Sequence, residues 1–273
     1  GTANVDQHGD TMSSSVDQRA NLNNAQVIQS GANQSSAITQ MSNNNAARVT
    51  QSGSDNVSSV YQQVGSGSVA YTDLELGQPV LNDPNATGYA VVQQAGDHLG
   101  SSVVSTGSSN FAFVQQVGSN NNSTVGQIGN GNAAFVEQAG SGNNSYFDQS
   151  GYRTNLSTSE VPYPGGNNIA VAQGVHQTGH DNSSSISQSG SSTQFGLTNM
   201  VDVLQSGDEN YSNVDQGGVD NMADIDQTGS LNQSYLTQYG TANSATVLQS
   251  SDSNISSVNQ SGSNSTAMVT QGN

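Results

Sequence analysis

Few residues in this chain have the types and the spacing that catalysis or metal binding requires. The closest pair of histidines is His176 and His180, with Asp181 next in the chain. Two ligands four residues apart hold a metal well when they share one face of a helix. In this chain the interval crosses a predicted strand end and a turn, so the sequence favours two solvent-exposed side chains over a metal site.

An acidic group offers a second possible site. Asp202 and Asp224 are 22 residues apart, and Asp226 is predicted on the same outward face as Asp224. Carboxylate oxygens are the ligands that Ca²⁺ prefers, so the three side chains are a candidate calcium site. The alternative, a solvated acidic patch, is the favoured interpretation.

The sequence predicts neither an enzyme nor a cofactor-binding protein. It contains no G-x-S-x-G elbow, no phosphate-binding G-x-x-x-x-G-K-[ST] loop and no H-E-x-x-H motif. Cysteine is absent, which excludes disulfides and thiolate metal sites. The chain of 273 residues has three Lys and Arg residues in total and a formal net charge of −17, so we expect neither nucleic acid nor an anionic membrane as a direct partner.

Hydrophobicity is too low for a single thick core. Apolar residues make up 31% of the chain, whereas Ser, Asn, Gln and Gly together make up about half of it. The sequence shows no apolar run long enough to span a membrane and no charged-then-apolar leader, so we expect neither direct membrane insertion nor a signal peptide in the numbered residues. A polar repeat protein or an Asn/Gln-rich β-former remains.

Glutamine recurs with a period of 11, and we number the repeat from this glutamine as position 0. Ser105 stands where the period expects one more glutamine, between Gln94 and Gln116. The glutamines at position 0 are Gln7, Gln18, Gln29, Gln40, Gln51, Gln62, Gln94, Gln116, Gln127, Gln138, Gln149, Gln177, Gln188, Gln205, Gln216, Gln227, Gln238, Gln249, Gln260 and Gln271.

The other recurring residue types of the repeat are found at every second position. Position +5 is usually Asn, +7 is Ser or Ala, +9 is aliphatic or aromatic, and +11 is the next Gln, which is the pattern of a strand with one face inward. Each repeat therefore predicts a strand of about seven residues, from +5 to +11, and a four-residue turn built around Gly at +2.

Two residue sets follow from this pattern. The predicted Asn ladder comprises Asn23, Asn45, Asn56, Asn110, Asn121, Asn132, Asn143, Asn182, Asn210, Asn221, Asn232, Asn243 and Asn254. The predicted turn glycines are Gly31, Gly53, Gly96, Gly118, Gly129, Gly140, Gly207, Gly218, Gly229 and Gly240.

Two consecutive repeats, each a strand and a turn, bring the chain back over its start, which predicts an all-β solenoid with rungs of 22 residues. Strands of successive rungs would stack about 4.8 Å apart, and inward Gln and Asn side chains would hydrogen-bond along the axis as ladders. Ordering one rung costs on the order of 30 kcal/mol, far more than its few apolar side chains return, so an existing rung must template the next. The repeat is in register at both ends of the numbered chain, from which we expect end-to-end stacking into a cross-β fibre.

The period lengthens in three places and divides one solenoid into five segments. Residues 1–62, 94–149 and 177–273 are predicted repeat arrays, the last with a short insertion near 189–204. Residues 63–93 are predicted as a degenerate repeat with a proline-containing insertion, and 150–176 as an insertion loop with proline. All four prolines, which cannot donate to a β ladder, lie in these two segments: Pro79, Pro84, Pro162 and Pro164.

The repeat units closely resemble the curlin repeat, Ser/Asn-x5-Gln-x-Gly-x-x-Asn-x5-Gln. Two units that carry the resemblance run from Gln51 to Gln62 and from Gln127 to Gln138, and similar units cover about three quarters of the chain. The resemblance implies a secreted subunit of curli, the functional amyloid of bacterial biofilm matrix. It also implies a nucleator subunit and an outer-membrane secretion pore as partners, besides further copies of the chain.

The sequence thus favours a structural protein that forms an extracellular, cell-surface fibre and supports adhesion. The alternative from another class is a monomeric extracellular solenoid adhesin or binding module, which would present the segments 63–93 and 150–176. The inward assignment also predicts that replacing Gln127 and Gln149 with Leu slows growth of the fibre more than replacing Phe135, which is assigned to the outward face.

Overall fold

The computed structural model describes residues 1–63, 88–108, 110–152, 160–161, 169–170, 174–191 and 199–272. These residues form two long parallel sheets, which we call sheet A and sheet B, and one short antiparallel pair. The chain alternates between the two sheets and advances by one strand position in each turn, so the predicted all-β solenoid is confirmed. No helix in the described ranges is long and apolar enough to cross a membrane.

Strands are numbered in chain order. Sheet A has 11 strands: β1 Thr2–Asp10, β3 Asn24–Ala32, β5 Asn45–Ser54, β7 Gly88–Asp97, β9 Asn110–Ser119, β11 Ala133–Ser141, β15 Val175–His180, β17 Met200–Asp208, β19 Met222–Ser230, β21 Ser244–Gln249 and β23 Thr266–Gln271. Sheet B has 10: β2 Ser13–Gln18, β4 Ser35–Gln40, β6 Val57–Gln63, β8 Gly100–Thr106, β10 Asn122–Asn130, β12 Asn144–Tyr152, β16 Ser183–Ser191, β18 Tyr211–Val219, β20 Gln233–Thr241 and β22 Ile255–Ser263. Strands β13 Glu160–Val161 and β14 Ile169–Ala170 form the antiparallel pair.

Every pair of neighbouring strands is in register, so each repeat position stacks on itself. Gln7 pairs with Gln29 in sheet A, and Gln216 pairs with Gln238 in sheet B. The register holds because a slip of one residue would turn the buried face of the strand outward.

The turn differs from the predicted four-residue turn built around glycine. Most strands continue from +6 through +3 of the next repeat, so the glycine at +2 lies inside the paired strand and the chain reverses at +4. Apart from Gly190, these glycines have φ between 105° and 145°, a range that side-chain-bearing residues rarely adopt. Where +2 is another residue, the strand stops at glutamine: β2 ends at Gln18, β4 at Gln40 and β21 at Gln249.

Three long connections interrupt the repeat at the same corner of the solenoid. They join β6 to β7, β12 to β15 and β16 to β17, and each runs from sheet B back to sheet A. Strand β5 pairs directly with β7, and β11 with β15, so no further rung lies between them. The four prolines of the two longer segments lie outside the described residues.

The core is a narrow column between the two sheets. The aliphatic or aromatic residue at +9 is buried in nearly every rung, together with the small residue at +7. Phe147 is the largest side chain in this column and is fully buried. Since each rung contributes only four such side chains, polar contacts along the axis must complete the packing.

Candidate functional site: the stacked polar ladders

The position-0 glutamines of sheet A form an uninterrupted ladder. In every neighbouring pair from Gln7 to Gln271, the side-chain Nε2 donates to the Oε1 of the glutamine in the next rung, over 2.6 to 2.9 Å. Except at the first and last rungs, these side chains are at most 2% exposed. The ladder therefore satisfies amide groups that would be costly to bury alone.

The same glutamines also join the two sheets. The Nε2 of Gln116 donates to the backbone oxygen of Gly100 in β8, at 2.9 Å, and the Nε2 of Gln249 donates to that of Gln233 in β20, at 3.0 Å. Each side chain thus uses both of its N–H groups, one along the axis and one across the core. The ladder fixes the spacing of the sheets as well as the stacking of the rungs.

Sheet B carries a second glutamine ladder with one interruption. Bonds of 2.9 and 3.0 Å join Gln18, Gln40 and Gln62. The ladder resumes at Gln127, with bonds of 2.7 to 3.0 Å that run through to Gln260. Between them stands Ser105, which pairs in register with Gln62 on one side and Gln127 on the other.

The asparagines at +5 close the turns and bind adjacent rungs together. The Nδ2 of Asn121 donates to the backbone oxygen of Val117 in its own turn, at 3.1 Å, and to that of Gly140 in the next rung, at 3.2 Å. Its Oδ1 accepts the backbone N–H of Asn143, at 3.0 Å. Asparagine suits this position because its short amide reaches a turn carbonyl and a neighbouring rung at once.

Sheets A and B differ at the small residue of +7, a division that the sequence analysis missed. The described strands of sheet A have Ala3, Ala25, Ala47, Ala90, Ala112, Ala134, Val201, Ala223, Ala245 and Ala267. Those of sheet B have Ser14, Ser36, Ser58, Ser101, Ser123, Ser145, Ser184, Ser212, Ser234 and Ser256. Separating odd from even repeats would have revealed this difference in the sequence.

Most of these serine hydroxyls are buried without a hydrogen-bond partner. Ser212 donates to Ser184 in the preceding rung, at 3.1 Å. The hydroxyls of seven others have no partner: Ser36, Ser58, Ser101, Ser123, Ser145, Ser234 and Ser256. A buried hydroxyl without a partner costs free energy, so this column lowers the stability that each rung contributes.

A residue at +3 anchors some of the corners, and the sequence analysis missed this as well. The Oδ1 of Asp97 accepts the backbone N–H and the hydroxyl of Ser54 in the preceding rung, at 3.0 and 2.7 Å. This hydrogen bonding lowers the pKa of Asp97. Asp208 and Asp252 accept backbone N–H groups of the preceding rung in the same way. The signal in the sequence was the recurrence of Asp and Asn at +3, in most cases one residue after the glycine.

The two candidate metal sites do not assemble. His176 lies on the outer face of sheet A with its Nδ1 2.8 Å from the Oε2 of Glu137, whereas the Nδ1 of His180 lies 2.6 Å from the hydroxyl of Ser141. Asp202 and Asp224 stack in register, as the period predicts. Within the described residues, no group of three or more acidic, histidine or cysteine side chains is arranged to hold a metal ion.

Phe135 is not the exposed reference residue that the prediction for Gln127 and Gln149 assumed. It faces outward from β11, but only 6% of its surface is exposed. Its ring centroid lies 5.0 Å from that of Phe111 and 6.2 Å from that of Phe113. A substitution there would remove buried aromatic packing and is no control for the ladders.

Charged groups on the outer face of sheet A have shifted pKa values. Burial raises the pKa of Asp202 to about 6; the charge of His176 opposes this rise and that of Asp224 adds to it. The Oδ1 of Asp202 is buried without a partner. The hydrogen bond with Glu137 raises the pKa of His176 despite its burial, and lowers that of Glu137. Burial, followed by the charge of Asp226, raises the pKa of Asp224.

These shifts predict a solenoid that is more stable at mildly acidic pH. Asp202 has a folded pKa above its unfolded value of about 3.9, so its penalty is greatest above about pH 6 and falls as the pH drops. The raised pKa of His176 acts in the same direction, because its stabilisation is complete only below its unfolded pKa. We expect Asp202→Asn to stabilise the protein by about 1–2 kcal/mol at pH 7.5 and to flatten its stability between pH 7.5 and 5. Urea unfolding at both pH values measures this.

Asp148→Asn, on the outer face of sheet B, is the matched control. It removes an outward carboxylate without altering the group around Asp202, and the increase in stability on acidification should persist. If Asp202→Asn kept the full pH dependence of the unchanged protein, burial of Asp202 would not be its cause.

The repeat itself matches a known family. A family model described as the curlin associated repeat matches residues 107–140, 196–229, 218–249 and 240–272. The first match contains Gln116 and Gln138, which are bonded to each other in the sheet A ladder. The comparison with curated proteins finds no match to the chain.

Proposed function

We propose that this protein, which its four repeat matches identify as a member of the curlin family, is the structural subunit of an extracellular amyloid-type fibre. Rungs of one copy pair with rungs of another in the register that joins rungs within the chain. The Gln and Asn ladders hold the copies together, and the glycines at +2 let their backbones approach. Strand addition of this kind draws its affinity from backbone hydrogen bonds.

One observation carries the proposal: stacking does not depend on how much chain joins two rungs. Gln51 and Gln94 are 43 residues apart and bond over 2.7 Å, and Gln138 and Gln177 are 39 residues apart and bond over 2.8 Å. Pairs 22 residues apart, such as Gln205 and Gln227, bond over 2.8 Å. Since a longer connection leaves the contact unchanged, the same contact can form between rungs of separate chains.

The ladders also give the fibre a direction. In both sheets the Nε2 of each glutamine donates towards higher residue numbers, so any exposed rung presents donors on one side and acceptors on the other. Donors of one copy can therefore meet acceptors of the next only when both copies point the same way. We expect head-to-tail growth and polar fibres.

Secretion, a nucleator subunit, an outer-membrane pore, biofilm support and surface adhesion are parts of this proposal that rest on the family. The curlin repeat and the solenoid fold are structural, and the proposed working residues are the ladders. The formal charge of −17 favours a fibre that stays dispersed, since like-charged surfaces repel.

A monomeric binding module remains the second candidate. It is favoured by the three long connections between β6 and β7, β12 and β15, and β16 and β17, because connecting segments commonly carry binding residues. This function needs no contact between copies.

Seeded assembly distinguishes the two candidates. Purified chain is incubated at neutral pH with and without sheared fibres of the same chain, and thioflavin fluorescence is followed with negative-stain microscopy. We expect unbranched fibres after a lag and a shorter lag with seeds, because an existing rung templates the next. A β-rich monomer that stays monodisperse and ignores seeds would overturn the fibre proposal in favour of the binding module.

A further inference from the structure

The interruption of the sheet B ladder leaves two buried amide groups facing a shorter side chain. Gln62 and Gln127 are at most 1% exposed, and Ser105 between them is 4% exposed. Ser105 lacks the methylene and the amide that glutamine has at this position in the other rungs. The Oε1 of Gln127, which would accept from a glutamine there, is buried with no hydrogen-bond partner.

The direction of the ladder determines what each neighbour offers. On one side, the Nε2 of Gln62 donates to the backbone oxygen of Ala46 at 3.1 Å, and its second N–H points along a ladder that has no glutamine in the next rung. On the other side, the Oε1 of Gln127 offers an acceptor. The hydroxyl of Ser105 can both donate and accept.

We propose that a buried water molecule binds at Ser105 and bridges Gln62 to Gln127. A bound cation would be repelled by the N–H of Gln62, and a bound anion by the oxygen of Gln127. Water suits both groups, because it accepts a hydrogen bond from Gln62 and donates one to Gln127. The site offers three polar partners, as buried waters typically have. Serine at this position is smaller than glutamine by a methylene and a carboxamide, which leaves room for a water molecule.

The site has a structural consequence for the ladder. A bridging water carries the hydrogen bonding of sheet B across the only rung in the described residues where an in-register glutamine is replaced. It also satisfies the oxygen of Gln127, whose burial would otherwise cost free energy. The site lies within one chain, so it does not depend on assembly into fibres.

Water-edited solid-state NMR on the full-length chain, sedimented or assembled, tests the proposal. Polarisation transfer from water to the side-chain NH₂ of Gln62 is compared with transfer to that of Gln51, which lies in the same rung and donates to Gln94 over 2.7 Å. We expect transfer to Gln62 to build up several-fold faster. Equal build-up at Gln62 and Gln51 would overturn the proposal without any variant.

Ser105→Gln provides the second test, because it restores the missing ladder member. We expect the fast transfer to Gln62 to disappear and the urea midpoint of unfolding to rise. The control Ser102→Gln makes the same substitution on the outward face of β8 and should leave the transfer to Gln62 unchanged. Persistence of fast transfer to Gln62 in a folded Ser105→Gln chain would show that no water binds at this position.

Discussion

Replacing Gly118 with alanine is expected to destabilise the protein by about 4 kcal/mol or more. Gly118 has φ of 114°, and a Cβ there would overlap the carbonyl oxygen of Gly140 in the next rung. The obstacle is backbone, and moving it would break the pairing of β9 with β11. Strain at the φ angle adds to this clash. Urea unfolding followed by far-ultraviolet circular dichroism measures the loss.

Gly126→Ala is the matched control from the same rung. Gly126 lies in β10 without a positive φ, and a Cβ there would approach only the side-chain oxygen of Asp148, at 3.1 Å. Because that carboxylate can move, we expect a change within about 0.5 kcal/mol. Similar losses in the two variants would mean that glycine at +2 does not determine the approach of the rungs.

Replacing Gln29 with leucine is expected to destabilise the protein by about 3 kcal/mol. Gln29 is fully buried, accepts from Gln7 at 2.6 Å and donates to Gln51 at 2.7 Å. Leucine has a similar size but leaves the oxygen of Gln51 buried without its donor and the backbone oxygen of Ser13 without its partner. Removing one member of a buried network costs more than the bond itself contributes.

Gln26→Leu on the same strand is the matched control, because it makes the same change of side chain outside the ladder. Gln26 faces outward from β3 and is half-buried. We expect a change well below that of Gln29→Leu, in the urea midpoint and, if the fibre forms, in its rate of growth. Equal effects at the two positions would contradict the role assigned to the ladder.

Much of the fold follows from local pattern. The alternation of Asn, small residue, aliphatic residue and Gln specifies which face of each strand is buried, because side chains alternate across a strand. The period of 11 between Gln205 and Gln216 specifies where the chain reverses. These signals are repeated often enough that the solenoid, its register and its ladders could be predicted without coordinates.

The limits of the strands could not be predicted in the same way. The glycine at +2 was assigned to a turn because glycine usually marks one, yet Gly118 lies inside a paired strand. Glycine is needed there because a side chain on it would meet the carbonyl oxygen of the next rung, where the two backbones approach closely. That reason involves two rungs and has no trace within a single repeat.

The sequence by itself determined the class of the protein, the inward residues and the rung of 22 residues, because these depend on periodicities that each segment carries. The tertiary structure alone decided that the paired strands extend through the glycine at +2 and that most of the +7 serine hydroxyls of sheet B are buried without a partner. It also decided that Phe135 is buried and that the pKa of Asp202 rises to about 6. Burial and pKa depend on what lies against a side chain from other parts of the chain, and outward positions have no periodic signal that specifies those neighbours.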